Sequence, residues 1–307
     1  LNLTESQIIE LIKTIFQPIL ASGAKNLLDD GAELPPVPTS HTRVISLDAF
    51  QEHNDFEIGL GTLESAGSRA VIQNLSDLAA MGAKPVGFLW SLELPTAWLE
   101  NNALYLRQFC KGVLKICREN NLEFYGGDLS ASKNAFSCAI TIFGDVAGRP
   151  LGRQGAQVGD KIYVSRELGI GAVQFKSLSL DSSSVSGTEL QNPAEIQLGQ
   201  QLVGLATACM DISDGLAKDL TRLCKASGVG ARIHTVPTCQ DATREDALYG
   251  GEDYALLFTA PESKLGIEIG EITKAPQILI KNPEGYEILK PGGFDHFSSF
   301  AAGQAPL

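Results

Sequence analysis

The run NLSDLAAMGA, residues 74–83, sets one carboxylate among apolar and small side chains. At helical spacing it extends backward into SAGSRAVIQ. The pattern predicts a helix over 65–82, with Val71, Leu75 and Leu78 on one face and Gly82 ending it. Asp77 on that helix stands beside Leu75, Leu78, Ala79 and Met81, where a carboxylate is costly unless something pairs with it. A hard cation is an economical partner, because magnesium takes carboxylate and phosphate oxygens. A buried backbone amide would also serve. Taken singly, such an aspartate is more often structural than catalytic.

Outward from this helix the first half of the chain alternates strands and helices. RVISLD (43–48) and VGFLWSLEL (86–94) read as strands. Pro95 breaks the second before a long helix from Ala97 to about Arg118, and LEFYGGD and AFSCAITIFGDVAG follow as strand-like runs. Near the start, Thr4 and Gln7 form a T-x-x-Q capping box for a helix with Ile8, Leu11, Ile12 and Ile15 on one face. GRPLGRQGAQVGD (148–160) is rich in Gly and polar residues and marks a domain boundary. The chain of 307 residues therefore divides into two α/β domains, 1–147 and 148–307. The second opens with KIYVS and a helix, then a Ser-rich segment from Ser177 to Gly187 that reads as a mobile loop. A helix from Ala194 to Ala208 leads into ACMDISDGLAKDLTRLCKASG, and ARIHTV, YALLFTA, IGEI and QILI close the chain as strands. No repeat of solenoid period is present.

Aspartates recur at the ends of these elements: Asp29 and Asp30 before Gly31, Asp48, Asp77, Asp128 after Gly126 and Gly127, and Asp211 and Asp214. Each has a plain structural reading, as a turn, an N-cap or an amide acceptor. Several of them in a chain with no G-x-x-x-x-G-K-[ST] and no protein-kinase loop set point instead to carboxylate-held magnesium around phosphates. Gly127 would let backbone approach a phosphate while Asp128 reaches a metal. Arg153 in the boundary loop is a candidate phosphate clamp. The formal net charge of −12 argues against nucleic acid and anionic membrane surfaces, which need a basic patch. Six scattered cysteines, with no C-x-x-C pair, read as small core residues in a reducing compartment. With no apolar stretch of membrane-spanning length and no signal-like start, the cytoplasm is the expected location.

Taken in order, these segments resemble the thiamine-monophosphate kinase family, part of the aminoimidazole-ribonucleotide-synthetase-like superfamily. The resemblance is carried by Asp29-Asp30-Gly31-Ala32, Ser46-Leu47-Asp48-Ala49, the complete run Asn74 to Ala83, and Gly126-Gly127-Asp128. It continues through Arg153-Gln154-Gly155-Ala156 with Gly159-Asp160, Asp211 to Leu216, Gly250 to Tyr254, and Gly293-Phe294-Asp295-His296-Phe297. It covers the chain almost end to end; the 74–83 and 211–216 runs are specific, whereas Gly-Gly-Asp alone is not. The resemblance implies a two-domain fold whose N-terminal sheets pair across a homodimer. It implies magnesium held by Asp30, Ser46, Leu47, Asp48, Asp77, Asp128, Asp211 and Asp214. It places Tyr105, Gly127, Asp128, Arg153 and Ser213 against ATP, and Asp55, Glu252 and Phe294 against the acceptor, thiamine monophosphate. The implied reaction is in-line transfer of the ATP γ-phosphoryl group onto that phosphate. The acceptor is already ionised, so no general base is nominated.

Three positions depart from the family pattern. Asp55 stands where a histidine is expected, an anion in place of a donor, with His53 two residues earlier. Leu47 and Ala49 replace two threonines, and ELQNPAEI before the Asp211 run lacks an arginine. The alternatives are a relative that uses ATP to activate an amide or carbonyl oxygen, or a nucleotide-binding protein with impaired acceptor binding. The Gly250 to Tyr254 run and the aromatic-Asp-His-Phe end favour the kinase. A selenophosphate-synthetase-like reading needs an early reactive cysteine, whereas the first is Cys110, and a hydrogenase-maturation reading needs a cysteine in the tail, which is AAGQAPL.

Overall fold

Strand β1 (His41–Gln51) alternates along its length, so that Val44, Ser46, Asp48 and Phe50 turn inward and Ile45, Leu47 and Ala49 turn outward. The structure, a computed structural model, describes residues 3–180 and 193–294. β1 edges a four-stranded sheet of order β1-β4-β2-β3, with β2 (Lys84–Pro95), β3 (Glu123–Ser132) and β4 (Ser137–Ala147). β4 runs antiparallel to both β1 and β2, while β2 and β3 are parallel. A parallel pair needs a crossover, and α3 (Glu100–Glu119) supplies it. Its entry is a short 3-10 turn, Thr96–Leu99, in place of the continuous helix expected from Ala97. Helix α1 (Glu5–Phe16) starts on the Thr4–Gln7 capping box.

Helix α2 (Leu63–Ala80) lies on the inner face of this sheet against α3. The two helices touch backbone to backbone. A Cβ at Gly67 would stand 2.0 Å from the Phe109 carbonyl oxygen, and one at Gly112 would stand 1.8 Å from that of Glu64. Only glycine fits at this crossing. The C-terminus of α2 closes as a Schellman motif around Gly82 (φ +75°): Ala83 N–H donates to the Leu78 carbonyl at 2.8 Å and Gly82 N–H to that of Ala79 at 2.9 Å.

The second sheet has seven strands in the order β11-β10-β7-β9-β5-β8-β6. They are β5 (Lys161–Val164), β6 (Ala208–Ile212), β7 (Gly230–Ile233), β8 (Ala255–Ala260), β9 (Ile267–Thr273), β10 (Ile278–Asn282) and β11 (Gly285–Ile288). Helices α4 (Ile170–Leu180), α5 (Ile196–Leu202), α6 (Leu216–Ser227) and α7 (Arg244–Tyr249) accompany it. The core under α6 is formed by Leu216, Leu220 and Leu223 with Ile212, Leu257 and Ile269. The helix expected over 194–208 is only α5, because Val203 leaves helical geometry, Gly204 turns left-handed (φ +79°) and Ala208 already begins β6. Of the Ser-rich stretch read as a loop, residues up to Leu180 belong to α4 and 181–187 lie outside the described residues. The terminal Asp295-His296-Phe297 also lies outside them. Strand β11 and helix α7 were not anticipated.

The two domains share α2. One flank of it packs on the first sheet and α3, the other on α5, β6 and β8. The first core accordingly runs on through Ile196, Leu202, Leu256 and Phe258 of the second domain. Five of the cysteines are buried and Cys239 is half-buried. Among the described residues no helix is long and apolar enough to cross a membrane.

Candidate active site

The inward row of β1 brings Ser46 and Asp48 toward α2. The Ser46 hydroxyl donates to the Asp77 carboxylate. One residue earlier on α2, Ser76 Oγ donates across the domain junction to Asp211 Oδ2 at 2.8 Å. Asp211 sits near the end of β6, fully enclosed. Asp48, Asp77 and Asp211 thus form one group at the meeting of β1, α2 and β6. Burial is the main force on all three, and Asp48 and Asp211 are pushed further by neighbouring carboxylates. Asp48 is raised to about 6 by burial, then by Asp77 and Asp55. Asp211 is raised to about 7 by burial, then by Asp77, partly relieved by the Ser76 hydroxyl. Asp77 is raised by burial and eased by Ser46 and by the positive charge of Arg153. Arg153 lines a cavity of about 700 Å³ with Gly152, Gly155, Ala206 and Thr207.

The loop after β6 carries Ser213 and Asp214. Asp219, fully buried in the first turn of α6, accepts both their amides through Oδ2, at 3.1 and 2.9 Å. Asp214 pairs with Arg222 (2.7 Å) and Lys218 (3.0 Å). Glu252 N–H donates to the Ser213 carbonyl (2.9 Å) and Phe294 N–H to that of Asp214 (3.0 Å), so Ser213, Asp214, Glu252 and Phe294 converge on one loop. Glu252 (φ +62°) and Tyr254 (φ +49°) hold left-handed backbone, which costs a side-chain-bearing residue energy and concentrates at functional sites. Arg69 of α2 reaches over the junction to Glu252, Nη2 to Oε1 at 2.5 Å. Asp55, in the turn after β1, accepts the Gln51 amide at 2.7 Å and acts electrostatically on both Asp48 and Arg69. His53 is engaged by Glu57 at 3.1 Å.

The remaining expected residues lie elsewhere. Asp30, Leu47, Gly127 and Asp128 line a groove on the outward face of the first sheet, together with Leu89, Ser91, Ala139 and Thr141. Asp128 is in register with Ser91, which pairs with Ala139, the partner of Ala49, so it shares the outward face. Gly127 is obligatory there, since a Cβ would stand 1.8 Å from the Trp90 carbonyl oxygen. Tyr105 packs edge-on against Trp98, with ring centroids 6.2 Å apart. Within the chain, then, Asp48, Asp77 and Asp211 come together, Asp30 and Asp128 share the groove, and Asp214 is held by two cations. Among the described residues no three His, Cys, Asp or Glu side chains are set to ligate one ion as they stand. The chemistry of the junction nevertheless suits a hard cation: oxygen donors, raised by burial and, at Asp48 and Asp211, by neighbouring carboxylates. Sequence reading missed Arg69, Ser76 and Asp219. Ser76 and Asp219 lie inside quoted motifs, whereas an arginine in SAGSRAV carries no signal of its own.

Comparison with known proteins identifies the family. Residues 28–146 match the family model of the AIR synthase related protein N-terminal domain, and 157–279 that of the C-terminal domain. Thiamine-monophosphate kinase of Haemophilus influenzae is 32% identical over 94% of this chain and 97% of its own. That of Escherichia coli K12 is 32% identical over 89% and 92%. Among solved structures, AaThiL complexed with AMPPCP and TMP superposes with a TM-score of 0.75 at 29% identity, covering 95% of this chain and 97% of that one. The Stenotrophomonas maltophilia thiamine-monophosphate kinase gives 0.73 at 28%, covering 91% and 97%. E. coli HypE, a hydrogenase maturation protein, shares the fold at 17% identity. The chain belongs to the thiamine-monophosphate kinase family of the AIR synthase related proteins.

Proposed function

We propose that this chain uses ATP to phosphorylate thiamine monophosphate, giving thiamine diphosphate and ADP, by direct in-line transfer with magnesium. The observation that carries this reading is the meeting, at one domain junction, of the Asp48–Asp77–Asp211 group with the loop bearing Ser213 and Asp214, onto which Glu252 and Phe294 hydrogen-bond from two other segments. Both reactants are anions and repel one another. Magnesium, when bound, neutralises phosphate oxygens and aligns donor with acceptor. Ser46, Asp48, Asp77 and Asp211 would hold it, with Asp214 at the edge of the loop. Asp30, Asp128 and the backbone at Leu47 would serve from the groove on the outward face of the sheet. Arg153, already acting on Asp77, would steady the ATP phosphates with Ser213, Gly127 and Tyr105. Glu252 and Phe294 would receive the thiamine rings, a cation against a carboxylate and an aromatic face. Asp55 lies on that acceptor side. Because the acceptor phosphate is its own nucleophile, the chain's residues need only bind, orient and exclude water.

The division of labour follows the two domains, 1–147 for metal, nucleotide and dimerisation and 148–307 for completing the site. The dimer reading rests on the outward face of the first sheet, where Ile45 is 67% and Leu47 61% exposed beside Leu89. An apolar sheet face of this kind is normally covered by a partner. The test of function is product analysis. With ATP, magnesium and thiamine monophosphate, thiamine diphosphate and ADP should appear in equal amounts, and a chelator should abolish both. No thiamine diphosphate under conditions where ATP binds would refute the reading.

A further inference from the structure

Arg69 is an enclosed cation at the acceptor end of the junction. Its side chain is 14% exposed, against 41% for its partner Glu252, so the guanidinium is the more enclosed member of the pair. Its Nε is buried with no hydrogen-bond partner among the described residues. The Phe50 ring lies 5.5 Å from the guanidinium carbon, and Phe50 is itself stacked on Phe56 at 5.3 Å, so an aromatic face backs the cation. Burial works against the charge, but Glu252, Tyr254 and Asp55 more than offset it. A desolvated arginine with an unused N–H, backed by an aromatic ring and tied by one carboxylate at the rim, is suited to receive a second anion in the bidentate way that guanidinium groups take phosphate.

The acceptor named in the preceding section has matching ends: a thiazolium cation and a phosphate dianion. We infer that the Arg69–Glu252 pair is the acceptor's charge complement, which the acceptor parts on binding, its phosphate taking Arg69 and its ring cation taking Glu252. This rests on the thiamine monophosphate reading and extends it to specificity. Each charge exchanges one opposite charge for another, so the enclosed guanidinium is not stranded. Thiamine without its phosphate offers Glu252 a cation but leaves Arg69 unpaired, a penalty that a site built around a buried polar group imposes on the analogue lacking its partner. The pair therefore selects the phosphorylated form.

The test uses the full chain. Steady-state kinetics are measured with thiamine monophosphate and ATP, with thiamine as a competitor, for the wild type, Arg69→Gln, Arg69→Lys and Glu252→Gln. Arg69→Gln is expected to raise the acceptor KM about 30-fold or more, from loss of a charge-assisted contact, with the ATP KM within about twofold. Thiamine should inhibit Arg69→Gln as well as or better than the wild type, because Glu252 is released, so the preference for the phosphorylated form collapses. Arg69→Lys, which keeps the charge without the fork, should recover part of it. Glu252→Gln should weaken thiamine and thiamine monophosphate together. A purely structural ion pair would instead lower Tm and move both substrates' KM alike. If the wild type turns over while the variants keep the acceptor KM and the thiamine preference, the inference falls and the kinase reading stands. If the wild type makes no thiamine diphosphate, both fall. Should Arg69→Gln not fold, unaltered acceptor KM and preference in Arg69→Lys and Glu252→Gln overturn the inference equally.

Discussion

Replacing Asp211 by Asn should stabilise the metal-free protein while destroying its activity. Asp211 is enclosed, with its pKa raised from the ordinary 3.8 to about 7. The folded state therefore binds a proton more tightly than the unfolded state does. Below about pH 4 both states are protonated and the carboxyl costs nothing. Between pH 4 and 7 the unfolded chain ionises first, and stability falls as pH rises; above pH 7 the penalty is complete. A rise of about three pH units at ~1.4 kcal/mol each sets a ceiling of ~4 kcal/mol. Asn keeps an oxygen to accept the Ser76 hydroxyl, now 2.8 Å from Oδ2, and carries no charge. Part of the ceiling is lost in seating the amide, which leaves an expected gain of about 1–3 kcal/mol at pH 8, or roughly 2–8 °C in Tm. Thermal unfolding with a chelator, at pH 8 and pH 4, reads this directly. The gain should be full at pH 8 and shrink to a small remainder at pH 4. No gain at pH 8, or an equal gain at both, would refute the picture of Asp211 as a buried carboxylate that the Ser76 hydroxyl only partly relieves.

Other outcomes follow from the same geometry. Magnesium should raise the Tm of the wild type more at pH 8 than at pH 5, because protonated carboxyls have little to offer a cation; an equal rise at both would remove the Asp48–Asp77–Asp211 group from metal binding. Asp77→Asn should lower kcat by roughly 10³-fold or more, and near-normal turnover would take Asp77 out of the site. Asp55→His should keep or raise activity, since it deletes an anion that disfavours ionised Asp48; a collapse would show that the bond to the Gln51 amide matters more. Gly67→Ala should cost about 2–3 kcal/mol or more, because the new methyl would stand 2.0 Å from a backbone oxygen at the α2–α3 crossing; unchanged chemical denaturation would contradict that crossing.

Much of the fold is written locally. Gly82 ends α2 where a left-handed residue is needed, and Thr4 with Gln7 starts α1, because both signals act over a few residues. Asp77 stood out because its neighbours are apolar, and its partners Ser46 and Asp211 were named beside it. The site's division was less legible. Leu47 and Asp48 were grouped as ligands, yet adjacent strand residues face opposite sides, so the motif straddles the sheet. Asp128 went with Leu47 to the outer face through the register of β2, β3 and β4, which no single stretch reveals. Arg69 was invisible for the same reason: an arginine on an amphipathic helix reads as solvated, and only the arrival of the Glu252 loop from the other domain encloses it. The helix over 194–208 was overextended because its apolar spacing continues past Gly204, where the backbone turns left-handed.

The most direct test of phosphoryl transfer at this junction is isotopic. The protein is given thiamine monophosphate, magnesium and ATP labelled with heavy oxygen on its γ-phosphoryl group, and the product is read by mass spectrometry. Direct transfer predicts thiamine diphosphate carrying the labelled group intact, in amounts equal to ADP. ADP with labelled inorganic phosphate and unchanged thiamine monophosphate would contradict it.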